Sequence, residues 1–175
     1  MKRLLFVSLS AAGLLAPISA DALELPVRKA GLWEMSVQNA TAPKPEMTMQ
    51  QCTDETTDKD MSTSFSPMAK DVCSKQDLQK TSTGYVSDSE CNVAGMTTTS
   101  HAEIVGDFNS AYTVKTSSHA QGGAVGAAGR DSTMTLEAKW VGACKPDQKP
   151  GDIVMPGGFK MNVRDVDKLK ALLPK

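Results

Sequence analysis

Hydrophobic and polar positions alternate with a period of two along most of the chain, as is typical of half-buried β-strands. Seven segments show this pattern: residues 31–39, 47–52, 72–80, 84–92, 95–105, 110–118 and 131–143. In the last of them, Met134, Leu136 and Trp140 share one face, and charged and hydroxyl side chains share the other. The pattern predicts a mainly β fold of about seven antiparallel strands, forming a strongly bent sheet or a barrel-like sandwich.

Two short segments show helical signals instead. Thr53-Asp54-Glu55 places a capping residue before acidic side chains, which predicts a short helix over about residues 54–61. Near the C-terminus, Asn162 can cap a second helix, and the apolar positions after it recur at helical spacing: Val163, Val166, Leu169, Leu172 and Leu173. This pattern predicts a C-terminal amphipathic helix that docks on the sheet.

The first residues have the layout of a secretory signal peptide. Lys2 and Arg3 precede an apolar run over residues 4–16, and Ala20-Asp21-Ala22 offers small residues to signal peptidase. We expect cleavage after Ala22, with cleavage after Ala20 as the near alternative. The apolar run is shorter than the roughly 20 residues of a membrane span, and no later segment is long enough to cross a bilayer.

The predicted organisation has four parts: a cleaved signal at residues 1–22, an N-terminal linker at 23–30, a β domain at 31–144 and a tail with the C-terminal helix at 145–175. Cleavage removes Lys2, Arg3 and Asp21 from the 19 basic and 20 acidic residues, which leaves 17 and 19 and a net charge of −2. This balance argues against binding to nucleic acid or to an anionic membrane surface. The mature protein is expected to be a soluble, exported monomer.

All four cysteines lie in the mature chain, and an even number of cysteines in an exported protein indicates disulfides. Cys73 and Cys91 are equidistant from Ser82, so a hairpin centred there places them opposite each other, within disulfide reach. Cys52 would then pair with Cys144. Four cysteines allow three pairings, and the hairpin favours this one without excluding the others.

Several short motifs occur in a definite order between residues 31 and 144: Gly31-Leu32-Trp33-Glu34, Gln51-Cys52-Thr53-Asp54-Glu55, the Cys73…Cys91 hairpin, Ser110-Ala111-Tyr112 and Trp140-Val141-Gly142-Ala143-Cys144. In this order they resemble the small exported bacterial proteins grouped as domain of unknown function 3617. The resemblance implies a secreted or periplasmic β-rich domain of a Gram-negative bacterium. It implies no activity and does not extend to the tail after Cys144.

Neither a catalytic motif nor a cofactor motif is present, so we expect no enzyme activity and no cofactor. A hydrolase acting on envelope material is an alternative that no specific motif supports. A second alternative is a periplasmic Cu(I)-binding or metal-stress protein that uses Met47, Met49 and His101, since thioether and imidazole ligands suit copper. Methionine also fills irregular cores, which is the structural explanation for the same residues.

A bent antiparallel sheet can hold an apolar ligand in its concave side. The residues expected to line such a cavity are large and share the predicted buried face: Trp33, Met35, Tyr112, Met134, Leu136 and Trp140. The same residues could instead fill a closed core. The sequence therefore favours a non-enzymatic periplasmic domain that binds a small apolar ligand or an envelope protein.

Overall fold

A computed structural model of the chain describes residues 25–40, 47–123 and 129–165, with residues 62–70 described by their backbone alone. The predicted signal peptide lies outside these residues. The strands, in chain order, are β1 (Gly31–Asn39), β2 (Met47–Thr53), β3 (Cys73–Lys80), β4 (Gly84–Val93), β5 (Met96–Asp107), β6 (Ala111–Gly122), β7 (Arg130–Gly142), β8 (Asp152–Val154) and β9 (Lys160–Asn162). Helix α1 spans Glu55–Val72, and a 3₁₀ helix spans Val163–Asp165.

The strands form a single antiparallel sheet in the order β3-β4-β5-β6-β7-β1-β2-β8-β9. Within the described part of the chain, the outer strands β3 and β9 do not pair with each other, so the sheet is open. Ile104 on β5 and Ile153 on β8 are five strand spacings apart, about 24 Å on a flat sheet. Both nevertheless line one cavity of about 480 Å³. The sheet is therefore strongly curved, as the alternation predicted.

The seven predicted strands are all present, and the structure adds β8 and β9, whose three-residue lengths are too short to produce an alternation. Helix α1 begins where predicted but continues to Val72, beyond the expected end near residue 61. Asn162 ends β9 rather than opening an α-helix. Its Oδ1 accepts a hydrogen bond from the Arg164 backbone N–H at 3.1 Å, so it caps the 3₁₀ helix, and residues 166–173 of the predicted helix lie outside the described residues.

The core lies on the concave face, where β1 packs between β2 and β7. Trp33, Met35 and Ala138 are buried there, and Trp33 has no exposed surface. Met35 lies directly opposite Ala138 on β7 and Met49 on β2, so the three side chains point to the same side. Each large side chain buried in this way contributes on the order of 1.5–3 kcal/mol, so this cluster anchors the middle of the sheet.

Gly31 allows the start of β1 to approach β7 unusually closely. Its φ is +131°, and a Cβ at this position would collide with the carbonyl oxygen of Gly142. The pairing of β1 with β7 shifts register just after it, between Leu32 and Trp33. The close approach lets the Trp140 indole N–H donate a hydrogen bond to the Ala30 carbonyl at 3.0 Å.

Residues 25–30, predicted as part of a linker, lie against the concave side of the sheet. The backbone N–H of Lys29 donates to the Phe108 carbonyl at 2.9 Å, and the Lys29 carbonyl accepts from the Trp33 indole at 2.8 Å. The Lys29 ammonium also lies 3.6 Å from the centre of the Trp140 ring. This segment is therefore part of the folded domain, and it places Arg28, the residue before Lys29, over the core.

Two disulfides join the four cysteines in the pairing that the hairpin favoured. Cys73 and Cys91 are register partners at one end of β3 and β4. Cys52 on β2 pairs with Cys144, which follows β7, so this bridge connects the two strands that flank β1. The described residues contain no free cysteine.

Candidate functional site

An apolar cavity of about 480 Å³ lies on the concave side of the sheet, between the strands, residues 25–28 and the first half of α1. Its volume falls within the roughly 300–1,000 Å³ of small-molecule sites. The strands contribute its apolar walls, which include Met35, Met49, Ile104, Val114, Leu136 and Ile153. Met61 of α1 and Leu25 of the N-terminal segment complete the walls, and the cavity is partly open to solvent.

The alternation of the strands explains why these side chains converge. Ile104, Val114 and Leu136 are register partners across β5, β6 and β7, so they form one row on the concave face. The predicted lining residues Met35, Tyr112 and Leu136 do line the cavity. The period-two pattern therefore predicted the part of the site that lies on the central strands.

The other three predicted lining residues lie outside the cavity. Trp33 is completely buried in the core and contacts the Tyr112 ring at 5.7 Å between centroids. Trp140 packs against the same core and is covered by Lys29. Met134 is 37% exposed towards the far end of β7, beyond the cavity. The cavity is formed around the middle of the curved sheet. A position on the concave face is therefore not sufficient for a residue to line the cavity.

One end of the cavity carries a buried ion pair between Arg28 and Asp58, whose exposed fractions are 6% and 9%. The Arg28 Nη2 and Nε atoms lie 2.6 and 2.8 Å from Asp58 Oδ1, and its backbone N–H donates to Asp58 Oδ2 at 2.7 Å. Nη2 also donates to Gln51 Oε1 at 3.0 Å. Asp58 thus holds both the side chain and the backbone of Arg28, which orients the guanidinium towards the cavity.

The start of α1 positions Asp58. Asp54 is the N-cap, because its Oδ1 accepts a hydrogen bond from the Thr57 backbone N–H at 2.7 Å. That hydrogen bond, together with one from the Thr57 hydroxyl, lowers the pKa of Asp54. The cap fixes the first turn of the helix, and Asp58 lies one turn after it, facing Arg28.

Sequence reasoning missed Arg28, Gln51, Asp58 and the aliphatic residue of the C-terminal strands, Ile153. Asp58 belongs to an acidic stretch, residues 54–60, whose pattern predicts a helix but does not indicate that one of its carboxylates is buried. Arg28 precedes the first strand, where no periodic pattern exists to indicate burial. Residues whose role depends on a contact between distant segments leave no such local signal.

The convex face carries a polar groove of about 440 Å³ with both histidines. His101 Nδ1 lies 2.8 Å from Asp88 Oδ1 on β4, and His119 Nδ1 lies 2.7 Å from Asp131 Oδ1 on β7. The two rings therefore lean towards opposite neighbours. Ser117 is the register partner of His101, yet the described residues show no hydrogen bond between that ring and a serine hydroxyl.

The Asp88 hydrogen bond raises the pKa of His101, because it favours the protonated imidazole. The pair therefore stabilises the fold at pH values below the pKa of an unfolded histidine, and this contribution is lost as the pH rises through the raised folded pKa. We expect Asp88→Asn to lower the midpoint of the His101 titration, measured by NMR on the imidazole Cε1 proton. Asp131→Asn is the matched control and should leave the His101 midpoint unchanged; an equal shift in both variants would contradict the assignment to Asp88.

The alternative copper set is not brought together. Met47 and Met49 lie on the concave face, in register with Val37 and Met35, whereas His101 lies on the convex face opposite Asp88. Met49 packs against the core and lines the apolar cavity. In the portion of the chain that the structure covers, no group of three or more His, Cys, Asp or Glu side chains is placed to hold a metal ion.

None of the helices in the described ranges is long and apolar enough to cross a membrane. No curated protein and no solved structure shows significant similarity to the chain. A family model described as a protein of unknown function matches residues 28–144, which include Arg28, Asp58, both disulfides and strands β1 to β7. Because this match covers well over half of the sequence, the chain belongs to the DUF3617 family.

Proposed function

We propose that this protein is a periplasmic binding protein without catalytic activity, and that it takes a small apolar ligand in the concave cavity. The observation that carries the proposal is the cavity itself: about 480 Å³, partly open to solvent and walled mainly by aliphatic and thioether side chains. An exposed apolar concavity of this size is unusual unless a ligand or partner covers it.

Two further observations support export. The first 22 residues have the three-part layout of a cleaved secretory signal. The two disulfides are typical of proteins that fold in an oxidising compartment. The absence of a known catalytic motif in the sequence agrees with a binding role.

A matched pair of valine substitutions tests the cavity. Val114 on β6 lines it, whereas Val105 on β5 lies on the convex face and is 47% exposed. We expect Val114→Phe to fill part of the cavity and weaken binding of the fluorescent apolar probe N-phenyl-1-naphthylamine at least tenfold. Val105→Phe should bind the probe as the wild-type protein does. The measurement is probe fluorescence titrated with oxidised protein.

Thermal melts of both variants establish that each is folded before the titration. The tilted contact between Trp33 and Tyr112 gives a second readout, because a ligand against Tyr112 should change the tryptophan emission. Equal loss of binding in both variants, or no binding by the wild-type protein, would contradict a ligand site in the cavity.

A further inference from the structure

We propose that the natural ligand is an uncharged single-chain amphiphile, with an ester, carbonyl or hydroxyl oxygen that meets Arg28 and Tyr112 at the polar end of the cavity. This inference rests on the proposed function and adds the chemical class of the ligand. Three properties of the cavity carry it: hydrogen-bond donors that a ligand oxygen can reach, a balanced charge, and a limited volume.

The donor is Nη1 of Arg28. Its Nε and Nη2 atoms are engaged by Asp58 and Gln51, whereas Nη1 points to the thioether sulphur of Met35 at 3.9 Å. Thioether sulphur is a weak acceptor, so a ligand oxygen would make a much stronger hydrogen bond with the guanidinium. Met35 and Arg28 both line the cavity, so an oxygen can reach this position from inside it.

Tyr112 offers a second donor: its hydroxyl oxygen accepts a hydrogen bond from the Arg28 side chain, and its own proton can be donated to a ligand oxygen. Its ring stacks on Phe108 with centroids 4.9 Å apart, which holds the phenol at the cavity wall. Burial raises the pKa of Tyr112, and Arg28 opposes that effect to a smaller extent, so the hydroxyl is protonated at neutral pH. An oxygen that accepts from both Arg28 and Tyr112 would be held at two points.

The charge of the cavity argues against an ionic head group. Within the described residues, Arg28 and Asp58 are the charged side chains that line it, and they neutralise each other. A carboxylate or an ammonium entering this site would lose its hydration without meeting an uncompensated opposite charge. A neutral oxygen loses far less hydration and keeps the hydrogen bonds.

The size and shape of the cavity suit one apolar chain. Its volume of about 480 Å³ lies in the lower half of the range for small-molecule sites, which is too small to enclose a lipid with two acyl chains. Apart from Arg28, Gln51, Asp58 and Tyr112, the residues that line it are apolar. The chain of the ligand would lie against these apolar side chains, with its oxygen at Arg28 and Tyr112.

The test compares probes that share a similar chain and differ in the head group: monolaurin, laurate and dodecyltrimethylammonium, each below its micelle concentration. Each displaces N-phenyl-1-naphthylamine from the oxidised wild-type protein. We expect monolaurin to displace the dye at concentrations at least tenfold lower than either ionic probe. Tyr112→Phe should reduce this advantage about fivefold, with each displacement expressed relative to the dye affinity measured for that same variant.

Tyr85→Phe is the matched control, because Tyr85 contacts Phe108 edge-on but does not line the cavity. It should behave as the wild-type protein does. Dye binding with no head-group preference, or with a preference for laurate or the ammonium, would overturn the neutral-amphiphile inference and leave the proposed function in place. Failure of the dye itself to bind would overturn both.

Discussion

Replacing Cys52 and Cys144 together by alanine is expected to lower the free energy of unfolding by about 4.6 kcal/mol. The two residues are 92 positions apart, and closing a loop of that length restricts the unfolded chain by about this amount in the loop-entropy relation. Alanine is the appropriate replacement because Cys52 is completely buried and a serine hydroxyl there would lack a partner. Urea-induced unfolding, followed by tryptophan fluorescence without reductant, measures the change.

The second disulfide provides the comparison. Cys73 and Cys91 are 18 positions apart, and the same relation gives a loss of about 3.2 kcal/mol for Cys73→Ala/Cys91→Ala. Removing the Cys52–Cys144 disulfide, which closes the longer loop, should therefore lower the free energy of unfolding more than removing Cys73–Cys91. The reverse order, or two variants that unfold at the urea concentration of the wild-type protein, would show that restriction of the unfolded chain is not how these bridges stabilise the fold.

Breaking the buried ion pair is the other change with a large expected effect. We expect Arg28→Met to destabilise the protein by about 3–5 kcal/mol, because Asp58 would remain as an uncompensated charge in the interior. Asp58→Leu should have a similar effect for the opposite reason, since it leaves the Arg28 guanidinium unpaired. Replacing both residues together, Arg28→Met/Asp58→Leu, should cost less than either single change. Urea denaturation of the four proteins, as a double-mutant cycle, measures the coupling.

The exposed pair on the same helix serves as the control. Glu55 and Lys59 lie 2.6 Å apart at the surface, with side chains 73% and 57% exposed. Exposed pairs of this kind contribute little to stability, so Glu55→Gln should leave the unfolding midpoint almost unchanged. Additive effects of the Arg28 and Asp58 substitutions, or an equally large effect of Glu55→Gln, would contradict a stabilising role for the buried pair.

The two sets of variants separate structure from binding. None of the four cysteines lines the cavity, so their loss should lower stability without a specific effect on the head-group preference of the folded protein. Arg28 belongs both to the fold and to the polar end of the cavity. For that reason the ligand test uses Tyr112→Phe, which removes one hydroxyl and leaves the ion pair intact.

Local patterns determined much of the architecture. The alternation along residues 31–39 and 131–143 predicted β1 and β7, and the equal spacing of Cys73 and Cys91 from Ser82 predicted the hairpin that joins β3 to β4. These predictions succeeded because successive side chains of a half-buried strand point to opposite faces, so apolar and polar residues alternate along its sequence. The row of Ile104, Val114 and Leu136 follows from the same rule once the register is known.

Other features depended on the tertiary structure. β8 and β9 are too short to show a period, and they form because β2 has a free edge for β8 to pair with. The extension of α1 to Val72 also has no periodic apolar stripe that would predict it. For β8 and β9, pairing with a strand that is distant in the sequence outweighs a weak local preference.

The candidate site likewise combines residues that the sequence predicts with residues that only the tertiary structure brings together. The sequence by itself determined that a face of large apolar side chains would exist on a bent sheet, and it identified Met35, Tyr112 and Leu136 on that face. Only the tertiary structure decided that Arg28 and Asp58, 30 positions apart, would meet as a buried pair beside it. The physical reason is that alternation reports which side of a strand is buried, whereas a charge becomes buried only when the folded chain brings its partner to it.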